Sequence, residues 1–292
     1  MAGSGIEVRR VSGNIGAVIE GVDLRAPLAP QAKDVVHRAL LDHGVVFLRD
    51  QDISLEQFWN FIGAFGQVQK EESTGTNDDK PEDVQETETV MTRYSTAVWH
   101  SDTTSLALPP KATALRAVTL PEFGGDTCWS SMYAAWEGLS EPMRKMLDGL
   151  TAIHSIDATL ERLGDYREWY QSGYFPRHKA QQVHPVVLTH PESGRKALYV
   201  NETFTTRIVE LSPAESAAVL SVLFRHVEKP EFCVRWRWSP NDVAFWDNRI
   251  VQHYAVPDYT TKRAMQRIVL AGEERDYAQA GPDPAKSPAR AA

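Results

Sequence analysis

Between residues 97 and 271 the sequence breaks repeatedly into short apolar, β-branched and aromatic runs, and this pattern limits the architecture more than any other property. The runs fall at 112–120, 126–130, 152–156, 185–189, 197–201, 232–238, 243–246 and 267–271, with Gly/Pro-bearing turns and longer helical insertions between them. Many short strands of this kind predict a mainly β fold with helical decorations, a sandwich or barrel. A chain of 292 residues suits one such domain with additions rather than two equal ones. We place the domain at 1–272. From residue 273 onward the sequence is charged and rich in Ala and Pro, which predicts a mobile tail over 273–292.

The N-terminal part has its own punctuation. Residues 6–11 and 15–22 read as short strands broken by Gly13, Gly16 and Gly21. Helical spacing of Val35, Val36, Ala39 and Leu40 predicts a helix over 30–43, closed by Gly44, with a buried strand at 45–48. Ser54-Leu55-Glu56-Gln57 is a capping box that opens a helix expected to run to Gly66, and Ser212-Pro213-Ala214-Glu215 opens another that ends near His226. Ser140 is the expected cap of a third helix, through Leu150. Residues 70–96 are polar, acidic and aperiodic, and we read them as a long loop, either disordered or a lid over the site.

Composition narrows the function. The formal net charge is −8 and no run of Lys or Arg occurs, so neither nucleic acid nor a membrane surface is an expected partner. The first ten residues lack the apolar core of a signal peptide, and no stretch of 18 apolar residues appears. The two cysteines, Cys128 and Cys233, form no paired motif and read as buried core thiols of a reducing compartment. A cytoplasmic location is the expectation. An anionic substrate would require a local basic pocket in this acidic chain.

The chemistry-bearing candidates are few. In Trp99-His100-Ser101-Asp102-Thr103, a strand would turn His100 and Asp102 to one face, where both reach one metal ion. His253, in the segment Trp246-Asp247-Asn248-Arg249-Ile250-Val251-Gln252-His253, is the best third ligand. Two imidazoles and one carboxylate on one face leave coordination sites open, the usual arrangement of non-haem Fe(II) oxygenases. An H-x-D alone is common, and nine histidines are available. His37, His43, His178 and His226 read as surface or helix residues, and His154, His184 and His190 as core or turn residues. Arg263 and Arg267, four apart in a strand, share a face and would form an anion pocket. Trp99, Trp129, Trp236, Trp238 and Trp246 read as core, and Asp247 and Asn248 as stabilisers of the turn before His253.

WHSDTTS, GGDTCWSS, HPVVLTHPESGRKALYVNETFTTRI, RWRWSPNDVAFWDNRIVQHYAVPDY and the Arg263/Arg267 pair together resemble the taurine dioxygenase (TauD/TfdA) family of 2-oxoglutarate oxygenases, over roughly residues 6–275. The resemblance implies a double-stranded β-helix, or jelly-roll, with helices outside. It implies Fe(II) held by His100, Asp102 and His253, with 2-oxoglutarate and O2 as co-substrates. Thr127 then matches the residue that hydrogen-bonds the distal carboxylate of 2-oxoglutarate, and Arg263 the arginine that pairs with it. Arg267 matches the arginine that holds the substrate's anionic group, and Phe204 an aromatic position of the substrate pocket. A homo-oligomer, dimer or tetramer, is implied as well.

Two family features are absent. No histidine lies between His43 and His100 to help grip a sulfonate, and Ser95-Thr96-Ala97-Val98 lacks the asparagine expected before the WHxD motif. Taurine itself is therefore disfavoured. A sulfonate or alkyl sulfate ester ranks ahead of an aryloxyalkanoate or other carboxylate, since an arginine accepts all of them. A metal-dependent non-oxidative jelly-roll enzyme, or a small-anion binding protein, is the alternative of a different class.

Overall fold

The computed structural model describes residues 5–69, 85–89, 97–156 and 181–277, with 85–89 described as backbone. A major sheet runs in the order β1 (Glu7–Arg10), β2 (Ala17–Glu20), β3 (Val45–Leu48), β13 (Val243–Asp247), β5 (Ala112–Thr119), β15 (Arg263–Leu270) and β4 (Gln85–Thr89). Its pairs are antiparallel except β2 with β3. A smaller antiparallel sheet, β12 (Cys233–Trp236), β6 (Thr127–Ser131) and β14 (Val251–Ala255), packs against it. Two further sheets extend the β layer: β11 (Thr205–Ile208), β7 (Thr151–Ser155) and β8 (Gln181–Pro185), and the hairpin of β9 (Val187–Thr189) with β10 (Lys196–Leu198).

Period-two alternation explains how one strand serves two cores. Val45 and Phe47 of β3, with Ala244 and Trp246 of β13, face the smaller sheet and join Trp129, Trp236 and Val251. Val46 and Leu48, with Val243 and Phe245, face the other way into a second core. That core is covered by α1 (Pro30–His43) and α2 (Leu55–Gly63), through Val36, Leu40, Phe58, Phe61 and Ile62. The nine residues of α2 are too few to be stable alone in water. Burial holds it, at about 1.5–3 kcal/mol for each large apolar side chain. Between the two sheets Phe47 stacks on Trp236 at 3.9 Å and meets Trp129 edge-on at 5.4 Å.

Helix starts follow the sequence closely. The capping boxes at Ser54/Gln57 and Ser212/Glu215 both form, the second opening α5 (Pro213–Val227). Ser140 caps α4 (Glu141–Leu147), and Gly44 (φ 73°) ends α1 with its N–H on the Leu40 carbonyl. Ends are shorter than expected. α2 stops at Gly63, where Phe65 turns back onto Phe61 and Phe245, and α4 stops at Leu147. A short helix capped by Ser131, α3 (Met132–Glu137), was not anticipated, and neither were β11 and β14.

Three other expectations change. Within the expected loop at 70–96, residues 85–89 form β4 along β15; the rest of that loop to Thr96, and with it the lid, lies outside the described residues. The tail does not begin at 273. Residues Glu274–Asp276 form a 3-10 turn in which Asp276 is buried on Arg249, and Tyr277 packs near His184 and Tyr199. Residues 278–292 lie outside the described residues. Cys128 and Cys233 are free but half-buried rather than core.

Candidate active site

Asp102 is not in a strand. His100 makes a single bridge to His253, with its N–H on the His253 carbonyl at 3.1 Å and the His253 N–H on its own carbonyl at 2.8 Å. The chain then leaves the sheet. Ser101 Oγ donates to the Val251 carbonyl at 2.7 Å, and Thr103 adopts a left-handed φ of 38°. The two side chains thus meet, but not through the i, i+2 alternation of a strand. A bridge and a strained turn, not strand alternation, bring Asp102 beside His100. β14, which carries His253, pairs with β6, with His253 opposite Trp129.

The ligand atoms of His100, Asp102 and His253 lie within 4.8 Å of one another, and all three residues are buried. This is the one such cluster among the described residues. His100 Nδ1–H donates to the Val98 carbonyl at 2.7 Å, which sets the ring tautomer with its lone pair on Nε2. His253 Nε2 stands 3.6 Å from Asp102 Oδ1. Its Nδ1 is buried without a hydrogen-bond partner among the described residues, so the ring is held by packing on Trp246 (4.9 Å) and His100 (4.1 Å).

The electrostatics favour ligand forms. Burial, the largest influence, pushes the Asp102 carboxyl up, but Arg267, His253, His100 and a Thr113 hydrogen bond together outweigh it and keep Asp102 ionised. Burial, aided by the charges of His100 and Arg267, pushes His253 down to about 3, so its imidazole is neutral. A carboxylate with two imidazoles that bind through a neutral ring nitrogen is the donor set that a divalent first-row metal requires, and the trio fits Fe(II).

Two arginines approach from β15. On the same face of that strand as Met265, which lies in the inter-sheet core, stand Arg263 and Arg267. Arg267 Nη2 donates to Asp102 Oδ2 at 2.8 Å, and about a fifth of its side chain is exposed. Arg263 is buried. Its Nε donates to the Gly125 carbonyl at 3.0 Å and its Nη2 to Thr127 Oγ1 at 3.4 Å, and among the described residues it meets no carboxylate. Gly124 and Gly125 (φ 75° and 70°) make this approach feasible. A Cβ on Gly124 would stand 2.4 Å from the Asp258 carbonyl oxygen, and one on Gly125 3.1 Å from Arg263 Cδ. Trp238 Nε1–H also donates to Thr127 Oγ1, at 3.0 Å. With two donors already on its oxygen, the Thr127 hydroxyl has its hydrogen left to give.

Phe204 is buried, and its backbone N–H rests on Asn201 Oδ1, while Asn201 Nδ2 donates to Thr104 Oγ1. Its link to the trio is therefore through the Asp102 loop. The other buried histidines read as core or turn have ordinary partners: His154 with Thr104, His184 with the Leu106 carbonyl, and His190 with Asp247. Sequence reasoning missed the parts played by Thr113, Trp238 and Asn248, which need cross-strand partners to be seen. It also took Trp246 as core alone, whereas its indole N–H donates to Asn248.

The family model described as taurine catabolism dioxygenase TauD, TfdA family matches residues 7–269. The chain belongs to this family. It is 37% identical to the alpha-ketoglutarate-dependent sulfate ester dioxygenase of Pseudomonas putida, over 92% of this chain and 90% of that one. It is 34% identical to the alkylsulfatase of Acinetobacter baylyi (strain ATCC 33305 / BD413 / ADP1), over 92% and 86%. The crystal structure of a taurine dioxygenase from Burkholderia xenovorans superposes with a TM-score of 0.79 at 35% identity, covering 92% of this chain and 91% of that one. As a TauD/TfdA protein the chain is an Fe(II)- and 2-oxoglutarate-dependent dioxygenase with a jelly-roll core, and O2 is its third reactant. No helix among its described residues is long and apolar enough to cross a membrane.

Proposed function

We propose that this TauD/TfdA dioxygenase oxidises the C–H bond next to the anionic group of an alkyl sulfate ester or sulfonate. The observation that carries the reading is the pair of arginines on one face of β15, Arg267 against Asp102 and Arg263 against Thr127, beside a trio that fits Fe(II). His100, Asp102 and His253 would hold the metal, which would supply O2 activation coupled to oxidative decarboxylation of 2-oxoglutarate to succinate and CO2.

The chain's own residues bind and orient. Arg263, buried and without a carboxylate partner among the described residues, pairs with the distal carboxylate of 2-oxoglutarate, and the Thr127 hydroxyl donates to the same group. Arg267 tethers the substrate's sulfate or sulfonate so that the adjacent C–H points into the site, where small misplacements cost about 100-fold in rate. Phe204 lines the pocket for the carbon chain. One oxygen atom enters succinate and the other becomes a hydroxyl on the carbon that bears the sulfate. That carbon then collapses to an aldehyde with release of sulfate and a proton, or of sulfite when the substrate is a sulfonate. The names of the two relatives, a sulfate ester dioxygenase and an alkylsulfatase, support the ester. Family membership supports a homo-oligomer in the cytoplasm.

The test is a panel of alkyl sulfates, alkanesulfonates, taurine and aryloxyalkanoates, scored by released sulfate, sulfite or phenol for each succinate. We expect sulfate and succinate in equal amounts from an alkyl sulfate, and loss of that coupling in Arg267→Gln. Phenol release from the aryloxyalkanoates alone would replace the sulfur-bearing substrate with a carboxylate.

A further inference from the structure

We infer that Trp246, Asn248 and Thr113 form a polarised relay of positioning residues that presents one oxygen of Asp102, Oδ1, to the metal. The inference rests on the assignment of Asp102 as a ligand made above. Trp246 and Thr113 face each other across the β13–β5 pair. Trp246 Nε1–H donates to Asn248 Oδ1 at 2.9 Å, Asn248 Nδ2–H donates to Thr113 Oγ1 at 2.8 Å, and Thr113 Oγ1–H donates to Asp102 Oδ2 at 2.6 Å.

The direction of this chain is fixed at its far end. An indole N–H can only donate, so it sets which end of the Asn248 amide faces it. The amide N–H is then left for Thr113 and occupies the hydroxyl oxygen as acceptor. The single hydroxyl hydrogen of Thr113 therefore goes to Asp102. Asp102 Oδ2 already takes Arg267, so two donors occupy it, while Oδ1 faces His253 Nε2. The three relay residues and Asp102 are all buried, so water does not compete for these bonds.

The test titrates metal-free protein with Co(II), or with Fe(II) under anaerobic conditions, and follows metal-dependent tryptophan fluorescence. Thermal melting of the metal-free protein runs alongside. Thr113→Val removes the hydroxyl at nearly constant volume, and its metal dissociation constant should rise about 10- to 100-fold, the range typical for groups that orient a ligand. Thr113→Ser should restore affinity to near the wild-type value. Asn248→Ala should weaken binding in the same direction and decides the matter if Thr113→Val does not fold. Wild-type affinity in Thr113→Val, or in Asn248→Ala, overturns the relay. So does a Thr113→Ser protein as weak as Thr113→Val, which would assign the loss to packing. Asp102→Ala separates the two layers. Its metal binding should vanish, and retention there would overturn the trio itself and the relay with it.

Discussion

The two arginines of β15 separate by partner, and their removal should separate by kinetics. Arg263 is buried among a carbonyl and a hydroxyl, so Arg263→Gln strips the charge from the proposed 2-oxoglutarate carboxylate site. Losing one partner of a buried charge pair costs about 2–5 kcal/mol, which predicts a rise of roughly 30- to 4,000-fold in the KM for 2-oxoglutarate. Arg267→Gln should instead raise the KM for the sulfur-bearing substrate and spare the slow substrate-free turnover of 2-oxoglutarate. Steady-state kinetics in each reactant tests both, and an equal effect of Arg263→Gln on the two KM values would contradict the division. At this scale much was legible. His100, Asp102 and His253 carry residue types with few other uses in that order, and they do converge. Thr113 and Trp238 were not, because a threonine and a tryptophan in strand-like segments read as ordinary β residues until the strand opposite is known.

Elements explain why the site is rigid. β14 carries His253 in the centre of its pairing with β6, and Gly124–Gly125 turn the chain so that Arg263 meets the start of β6. Gly125→Ala places a side chain at positive φ against Arg263. It should lower stability by about 1–2 kcal/mol through the left-handed backbone and should also raise the KM for 2-oxoglutarate. Denaturant unfolding and kinetics on the same protein check the pair of effects. Wild-type values for both would show that Arg263 gives way freely. By contrast Ser212→Ala, far from the chemistry, should cost about 1 kcal/mol of stability at unchanged KM. Helix starts were readable because a capping box is a local contract between neighbours. Helix ends were less so, since α2 stops where Phe65 packs on Phe245, a contact 180 residues away in sequence. β14 escaped notice because Val251–Ala255 is short, follows a turn and holds Gln252 and His253, and its pairing with β6 is what makes it a strand.

The molecule as a whole is closed by a buried ionic knot. Arg249 binds Asp247 through Nε and Nη2 and Asp276 through Nη1, while His190 Nε2–H donates to Asp247 at 3.1 Å. The knot ties the turn before β14 to the 190–195 loop and to the segment after β15, which is why residues 273–277 are packed rather than mobile. Composition alone favoured a mobile tail there because it registers charge and not the partner that neutralises it. Arg249→Met would strip two buried carboxylates of their arginine countercharge, and we expect a loss of about 3–5 kcal/mol in urea unfolding. Acid acts on the same scale. Burial pushes His154 well below its ordinary value and His184 to about 4, so both are neutral in the folded chain at pH 5–7. Unfolding returns them to about 6.5. Below that pH the unfolded chain binds protons that the folded chain does not, and stability falls as pH drops, by up to about 1.4 kcal/mol per pH unit for each histidine. The contribution is absent above pH 7, and for His184 it saturates near pH 4. Urea midpoints at pH 7 and 5 should differ accordingly, and the difference should shrink in His184→Gln to the part that His154 supplies.

The most direct test of the enzyme itself is succinate formed from 2-oxoglutarate by the wild-type protein and His253→Ala, with Fe(II), O2 and an alkyl sulfate supplied or withheld in turn. Succinate that requires Fe(II) and O2, rises well above the slow substrate-free background when the alkyl sulfate is added, and disappears in His253→Ala is the expected result. Substrate turnover that persists without O2 or 2-oxoglutarate, or in His253→Ala, would contradict a dioxygenase built on this trio.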